Sequence, residues 1–202
     1  MSPRLRALCG VVCAVLLGGC GAGGSRPADR HLPVVRVTVA TDGLVPQVAT
    51  GVAAGDGRVV TVAHALSGGH AVTVAGRRAR VVRVDRRLDL ALLAVPALRA
   101  PAVRFGDGAT RVAIPVVRGA GARSLTGRVR RRVVVLWRDQ PGDPAHRRPA
   151  LELAARIEPG DSGAPVVDRR GRVLGMLYAR SEDDDGTAWA VDARAVRAFL
   201  AG

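Results

Sequence analysis

Three residue types that together can activate a nucleophile occur in the chain order His64, Asp89 and Ser162. A serine hydroxyl is a poor nucleophile at neutral pH, so an imidazole must take its proton and a carboxylate must orient that imidazole. Gly160 precedes Ser162 by two residues and lets the backbone turn, so that the Gly160 and Ser162 N–H groups converge on one point. These residues predict a serine-dependent hydrolase.

The flanking sequences predict how His64 and Asp89 are positioned. An apolar, β-branched run at residues 59–63 places His64 at the end of a strand, and the glycines at 68 and 69 then turn the chain. Asp89 stands at the start of the apolar run 90–93, where a carboxylate is expected to be partly buried. A buried charge needs a partner, and His64 is available.

Each candidate also has a plainer interpretation when it is taken alone. The run around Ser162 is typical of a surface turn, His64 of a half-buried structural histidine, and Asp89 of a helix cap. The ordered set favours the chemical interpretation. The other histidines, His31, His70 and His146, are predicted in exposed loops, and no spacing typical of zinc ligands occurs, so we expect no metal or cofactor.

With these residues in view, the chain resembles the chymotrypsin-like serine peptidases, and among them the bacterial HtrA (Deg) type. The order His, Asp, Ser is that of this clan. Residues 61–65, 85–91 and 157–165 are similar to its histidine, aspartate and serine motifs, with Glu158 and Asp161 where asparagine is commoner in the HtrA branch. The resemblance covers about residues 34–200.

The resemblance implies an all-β fold of two six-stranded antiparallel barrels with the active site in the cleft between them. The first barrel would span about residues 34–98 and the second 104–191. No PDZ module is expected after residue 202. Short β-branched runs independently predict nine strands, at 34–40, 59–63, 79–84, 91–95, 112–117, 132–137, 164–167, 173–178 and 188–191, and one helix at 192–200 with Asp192 as its cap.

The resemblance also implies roles for individual residues. Ser162 would attack a peptide carbonyl, His64 would act as general base and then acid, Asp89 would hold the imidazole tautomer, and the Gly160 and Ser162 amides would bind the oxyanion. The walls of the substrate pocket would include Ala155, Arg156, Met176 and Leu177, which predicts cleavage after aliphatic residues, or after acidic ones if Arg156 points inward.

Asp161 raises a separate question about the nucleophile loop. In digestive relatives, the carboxylate at this position pairs with an N-terminus freed by activation. An internal arginine must serve that purpose here, or the loop rests disordered.

Residues 1–19 are predicted to be a targeting segment, with a basic start and an apolar core too short to span a bilayer comfortably. The segment ends before Cys20 in a run that resembles a bacterial lipobox, so Cys20 is the candidate lipidation site and residues 20–33 a flexible tether. We expect an exported peptidase domain at 34–202, anchored to the outer face of the cytoplasmic membrane. A plain secretory signal is the alternative.

The chain carries a formal net charge of +14. Such an excess favours anionic lipids, anionic cell-wall polymers or acidic proteins as partners, beside polypeptide substrates. The cations are all arginine, which also fits a simple codon bias. Nucleic acid is not expected, because the sequence offers only five aromatic residues and no stacking motif.

A second class of function is also compatible with this sequence. The barrels could serve as a catalytically latent or inactive, lipid-anchored scaffold that binds envelope proteins or anionic polymers. The intact set of His64, Asp89 and Ser162 argues against it, because a scaffold has no physical need for all three.

Overall fold

A computed structural model describes residues 34–138 and 145–202. The predicted targeting segment, Cys20 with its tether, and His31 lie outside the described residues. No helix in the described part of the chain is long and apolar enough to cross a bilayer. The structure thus covers the segment in which the three candidate residues occur.

The first six strands form a closed antiparallel barrel, and a one-turn 3-10 helix, His64–Leu66, follows its third strand. The strands are β1 Val34–Thr41, β2 Gln47–Gly55, β3 Arg58–Val62, β4 Gly69–Val74, β5 Arg77–Asp85 and β6 Leu90–Ala94. Around the barrel their order is β1-β2-β3-β6-β5-β4, and the pairing of β1 with β4 closes it. Because β1 and β4 pair with each other, neither is left as an unpaired edge strand.

The second six strands form a second closed antiparallel barrel, followed by one helix. The elements are β7 Arg111–Arg118, β8 Gly121–Trp137, β9 His146–Ala154, β10 Pro165–Val167, β11 Val173–Arg180, β12 Thr187–Asp192 and α1 Ala193–Ala201. Their order is β10-β11-β12-β9-β8-β7, and the pairing of β10 with β7 closes the barrel. The predicted fold class is therefore confirmed.

The sequence predicted most of the strands but not all of them. All nine predicted strands are present. Three further strands, β2, β4 and β9, were not predicted, and β8 extends eleven residues before the predicted start at residue 132. The predicted helix is confirmed as α1. Its predicted cap is also confirmed, since the Asp192 side chain accepts the Arg194 amide at 2.8 Å.

A shared apolar cluster joins the two barrels. Each barrel has its own interior, and residues on the opposite face of β2, β3 and β6 pack against the second barrel and α1, because side chains alternate between the faces of a strand. Val52, Val60, Leu90 and Leu92 of the first barrel meet Met176, Val191, Val196 and Phe199 in this way. The cluster fixes the relative position of the loops that carry His64, Asp89 and Ser162.

Candidate active site

His64 and Asp89 are brought together at the end of the first barrel. His64 begins the 3-10 helix after β3, and its side chain is 49% exposed. The Asp89 carboxylate accepts the His64 main-chain amide at 2.8 Å through one oxygen and lies 2.7 Å from His64 Nδ1 through the other. Since a carboxylate can only accept, Nδ1 carries the proton in the neutral ring and Nε2 is the acceptor.

Asp89 is held in an unusual backbone conformation directly before β6. Its φ is +58°, in the left-handed region that residues other than glycine rarely adopt, and the residue is only 7% exposed. Its carbonyl accepts the Ala63 amide at 3.1 Å, beside the two carboxylate contacts to His64. Such a conformation persists only where the surrounding contacts over-determine it.

Ser162 lies in the loop that joins β9 to β10, and this loop is tied to both barrels. The Ser162 carbonyl accepts the Thr50 amide of the first barrel at 2.8 Å. The Thr50 hydroxyl donates to the Gly160 carbonyl at 3.1 Å, and the Gly163 amide donates to the Leu177 carbonyl of β11 at 2.7 Å. These contacts set the direction of the peptide groups on either side of Ser162.

Gly163 is required by this close approach of two barrels. A Cβ there would lie 2.0 Å from the Thr50 carbonyl oxygen and 2.6 Å from the Thr61 hydroxyl oxygen, and its φ is +86°. Neither a backbone carbonyl nor a buried threonine can move aside cheaply. The glycine after Ser162 therefore brings the loop against β2 as no other residue type would.

Two amides of the loop are available to an acceptor from outside the protein. Among residues 34–138 and 145–202, neither the Gly160 nor the Ser162 N–H has a hydrogen-bond acceptor, whereas the intervening Asp161 amide donates to the Glu158 carbonyl at 3.1 Å. Within the same ranges no hydrogen bond joins the Ser162 hydroxyl to the His64 ring. Such contacts are often long in uncomplexed enzymes and tighten with substrate.

The residue before the candidate nucleophile, Asp161, is completely buried and paired with an arginine. Arg118, at the end of β7, binds its carboxylate in a two-pronged contact, with Nε 3.0 Å from one oxygen and Nη2 2.5 Å from the other. Arg118 also reaches Glu158 at 2.8 Å, and the hydrogen bond to Asp161, opposed by burial, raises the pKa of the Arg118 guanidinium. Of the two predicted alternatives, an internal arginine or a disordered loop, the structure has the arginine.

The four residues predicted to line the substrate pocket do not share one environment. Ala155 and Leu177 are buried together in the second-barrel core, and Met176 is fully buried in the cluster between the barrels. Met176 and Leu177 are adjacent on β11, so their side chains point to opposite faces. Arg156 is exposed and lies near enough to the Asp184 carboxylate to help lower its pKa, after larger contributions from Thr187 and the Gly186 amide.

The remaining histidines lie away from this arrangement. His70 is exposed on β4 with Asp42 3.6 Å away, and His146 lies on β9 with its ring 4.7 Å from that of Trp137. The loop prediction was therefore wrong for both, because each residue lies within a strand. No group of three His, Cys, Asp or Glu side chains in the described ranges is arranged to hold a metal ion.

Sequence reasoning missed three residues that hold the candidate site. Thr50 lies in the unpredicted strand β2, and no motif marks it. Arg118 was anticipated only as some internal arginine, since nothing distinguishes it among the 31 cations of the chain. Arg148, on the unpredicted strand β9, contacts the main chain just before Asp89 and had no sequence signal.

Two closed six-stranded antiparallel barrels are the architecture of a chymotrypsin-like serine peptidase domain. Residues 49–176 match the trypsin-like peptidase domain, and the chain belongs to this family. The predicted resemblance is thereby confirmed.

Individual relatives place the chain near the HtrA type. It is 35% identical over 162 residues to the serine protease Rv3671c of Mycobacterium tuberculosis, which covers 75% of this chain and 41% of that protein. It is 31% identical over 159 residues to a probable periplasmic DegP-like serine endoprotease of Marinomonas, which covers 69% of this chain and 31% of that protein. The chain thus spans less than half the length of these relatives.

A solved structure shows the same fold. The active form of the Rv3671c protease superposes with a TM-score of 0.76 at 31% identity, over 83% of this chain and 79% of that one. The likeness extends beyond the segment that matches the peptidase family and includes most of both barrels.

Proposed function

We propose that the chain is a serine endopeptidase in which Ser162, His64 and Asp89 form the catalytic triad. The observation that carries the proposal is the double contact of Asp89 with His64, one oxygen to the main-chain amide at 2.8 Å and the other to Nδ1 at 2.7 Å. This contact fixes the imidazole and, in the neutral ring, places the proton on Nδ1 and leaves Nε2 as the acceptor. An unprotonated Nε2 is what a general base for Ser162 requires.

The proposed reaction follows from these positions. As Ser162 Oγ bonds to the substrate carbonyl carbon, His64 Nε2 takes its proton, and the Gly160 and Ser162 amides stabilise the oxyanion. The intermediate collapses with cleavage of the C–N bond, and the imidazolium gives its proton to the departing amine. Water then attacks the acyl-enzyme, with His64 as base again, and Ser162 regains its proton.

We further propose that the enzyme cleaves polypeptides after aliphatic residues. The buried and apolar character of Ala155 and Leu177 supports this preference. Arg156 is exposed and lies near Asp184, which favours the aliphatic preference over the acidic alternative. A peptide library cleaved mainly after arginine or lysine would contradict the proposal.

The proposed substrates are exported or envelope proteins, with the domain anchored to the membrane through lipid on Cys20. The lipobox-like run before Cys20 supports anchoring. The Marinomonas relative is a probable periplasmic endoprotease, which supports export. Incorporation of a labelled fatty acid that is lost in Cys20→Ala tests the anchor directly.

The first test is labelling of residues 34–202 with a fluorophosphonate probe, followed by mass spectrometry to locate the modified residue. We expect stoichiometric labelling at Ser162, none in Ser162→Ala, and full labelling in the matched control Ser124→Ala, whose serine lies exposed on β8. Cleavage of an unfolded test protein should fall by about 10⁴ to 10⁶ in kcat for Ser162→Ala. Undiminished cleavage by that variant would refute the triad.

The alternative of a latent or inactive binding protein is favoured by one observation, the missing hydrogen bond between the Ser162 hydroxyl and the His64 ring within the described residues. The same experiment separates the two functions. A folded wild-type sample that takes up no label would support the alternative, and binding to envelope proteins or anionic polymers would become the property to measure.

A further inference from the structure

Arg148 is a buried cation that no carboxylate neutralises in the described part of the chain. The residue is 8% exposed, although the neighbouring Arg147 on the same strand is exposed. A guanidinium stays charged in proteins, and burying it is costly unless hydrogen bonds or aromatic faces compensate. Its contacts therefore indicate what the buried charge does.

The guanidinium of Arg148 binds two consecutive main-chain carbonyls of the opposite barrel. Nε donates to the Arg87 carbonyl at 2.9 Å and Nη2 to the Arg86 carbonyl at 3.3 Å. Both carbonyls belong to the turn between β5 and β6, where the Leu88 amide donates to the Asp85 carboxylate at 2.9 Å. Arg148 thus holds the turn that leads directly into Asp89.

Two aromatic rings fix the guanidinium from the second barrel. Its central carbon lies 4.6 Å from the Tyr178 ring centroid and 5.2 Å from that of Trp137, both within cation–π range. Burial raises the pKa of the Tyr178 hydroxyl, the Asp89 charge raises it further, and Arg148 opposes both. Tyr178 therefore lies close enough to sense the Asp89 and Arg148 charges at once.

The conformation of Asp89 is the feature that needs such support. Its φ of +58° is unfavourable, and the carboxylate must point at His64 through both oxygens. His64 belongs to the same barrel as Asp89, and its contacts hold the Asp89 carboxylate in place. The Arg86 and Arg87 carbonyls are the points at which the other barrel restrains the same turn.

We infer that Arg148 is a positioning residue for the proposed reaction, which from the second barrel holds the Asp85–Leu88 turn and through it aims Asp89 at His64. The inference rests on the proposed function. It makes the orientation of the His64 ring depend on residues of the second barrel, Arg148 on β9 and Tyr178 on β11. A small misplacement of a catalytic group costs up to about 10²-fold in rate.

The test compares Arg148→Met, which keeps the apolar stem but removes the charge and all donors, with Arg148→Lys and with the control Arg147→Met on the exposed face of β9. We measure kcat and KM on a peptide substrate, and the proton NMR resonance of His64 Nδ1–H, which a short bond to a carboxylate shifts far downfield. His64→Ala identifies that resonance by its loss. Circular dichroism and thermal melting report folding.

For Arg148→Met we expect kcat to fall about 10- to 100-fold with little change in KM, and the downfield resonance to weaken or disappear in a folded sample. Arg148→Lys should be intermediate, because an ammonium keeps the charge but loses the planar fork. Arg147→Met should match the wild type in every measurement.

A wild-type kcat and an unchanged downfield resonance in folded Arg148→Met would overturn the inference. If that variant does not fold, the same result in folded Arg148→Lys overturns it. The NMR measurement needs no turnover, so it separates the two proposals. An inactive wild type whose resonance still depends on Arg148 would refute the proposed function and keep the positioning.

Discussion

Two buried carboxylates reach the candidate site from opposite barrels, and they hold different kinds of partner. Asp89 is 7% exposed and Asp161 is 0% exposed. Each accepts one main-chain amide at 2.8 Å, from His64 and Glu158 respectively. The second partner of Asp89 is the His64 imidazole, whereas that of Asp161 is the Arg118 guanidinium.

The different partners give the two carboxylates different functions: Asp89 is suited to assist proton transfer, and Asp161 to hold the loop in place. An imidazole gains and loses a proton near neutral pH, so Asp89 can stabilise a charge that appears and disappears during a reaction. A guanidinium stays charged, so the pair of Asp161 and Arg118 is permanent and can only hold the chain. We therefore expect Asp89 to matter chiefly for rate and Asp161 for both folding and rate.

Replacement of Asp89 by asparagine should give the largest loss of rate with a small loss of stability. The amide can donate to Nδ1 and so favours the wrong tautomer, in which Nε2 no longer accepts the Ser162 proton. We expect kcat on a peptide substrate to fall by about 10⁴. A loss of less than tenfold in a folded variant would mean that Asp89 does not set the tautomer, and the comparison with Asp161 would fail.

Replacement of Arg118 by methionine should act on Asp161, and it should lower the stability of the protein as well as its activity. The Asp161 charge would be left buried without its cation, which destabilises proteins by about 3 to 5 kcal/mol. Urea denaturation measures this loss, and the rate of fluorophosphonate labelling should fall as the loop around Ser162 leaves its position. The matched control is Arg123→Met, which removes an exposed arginine of β8.

A double variant sharpens this result. Arg118→Met combined with Asp161→Asn removes both charges, so it should recover part of the lost free energy of unfolding. The labelling rate should stay low, because the two-pronged contact is still missing. If the single and double variants are equally stable, the unpaired Asp161 carboxylate is not what destabilises Arg118→Met.

The fold could be predicted from the sequence wherever composition and pattern agree. β-branched runs marked nine of the strands, and Asp192 marked the start of α1. β2 is rich in glycine and alanine, and β9 contains Pro149 and the helix-favouring run Ala150-Leu151-Glu152-Leu153, so neither has a clear strand signature. β4 has the β-branched run 72–74 after Gly69, and the sequence prediction missed it. Barrel closure, which depends on pairing distant strands, overrides these local preferences.

The candidate site could be predicted only as far as its motifs extend. His64, Asp89 and Ser162 stand in recognisable local runs. Arg118 and Arg148 do not, because their function depends on which carboxylate or carbonyl lies opposite in the folded barrels. In a chain whose cations are all arginine, only the fold distinguishes these two from the exposed ones.

A third buried carboxylate, Asp168, lies away from the candidate site. Its replacement should have the smallest effect on stability and none on the rate of labelling at Ser162. Asp168 accepts the Arg170 and Arg172 amides at 2.8 and 2.9 Å and Arg172 Nε at 2.7 Å. Burial alone would raise the pKa of Asp168, but these hydrogen bonds hold it below its ordinary value. Its stabilisation is thus present above the pKa of the unfolded chain and is lost as the pH falls through the folded pKa.

Asp168→Asn should therefore unfold about 1 kcal/mol more easily than the wild type at neutral pH, and the gap should close in acid. Urea denaturation at neutral and at acidic pH measures this difference in the free energy of unfolding. Labelling at Ser162 should proceed at the wild-type rate, unlike in Arg118→Met, because no hydrogen bond within the described ranges joins the Asp168 pair to a peptide group of the nucleophile loop. A gap that widens in acid would contradict the assigned direction of the pKa. Slow labelling would show that even this distant pair holds the loop, and the distinction drawn between Asp161 and an ordinary structural carboxylate would then be lost.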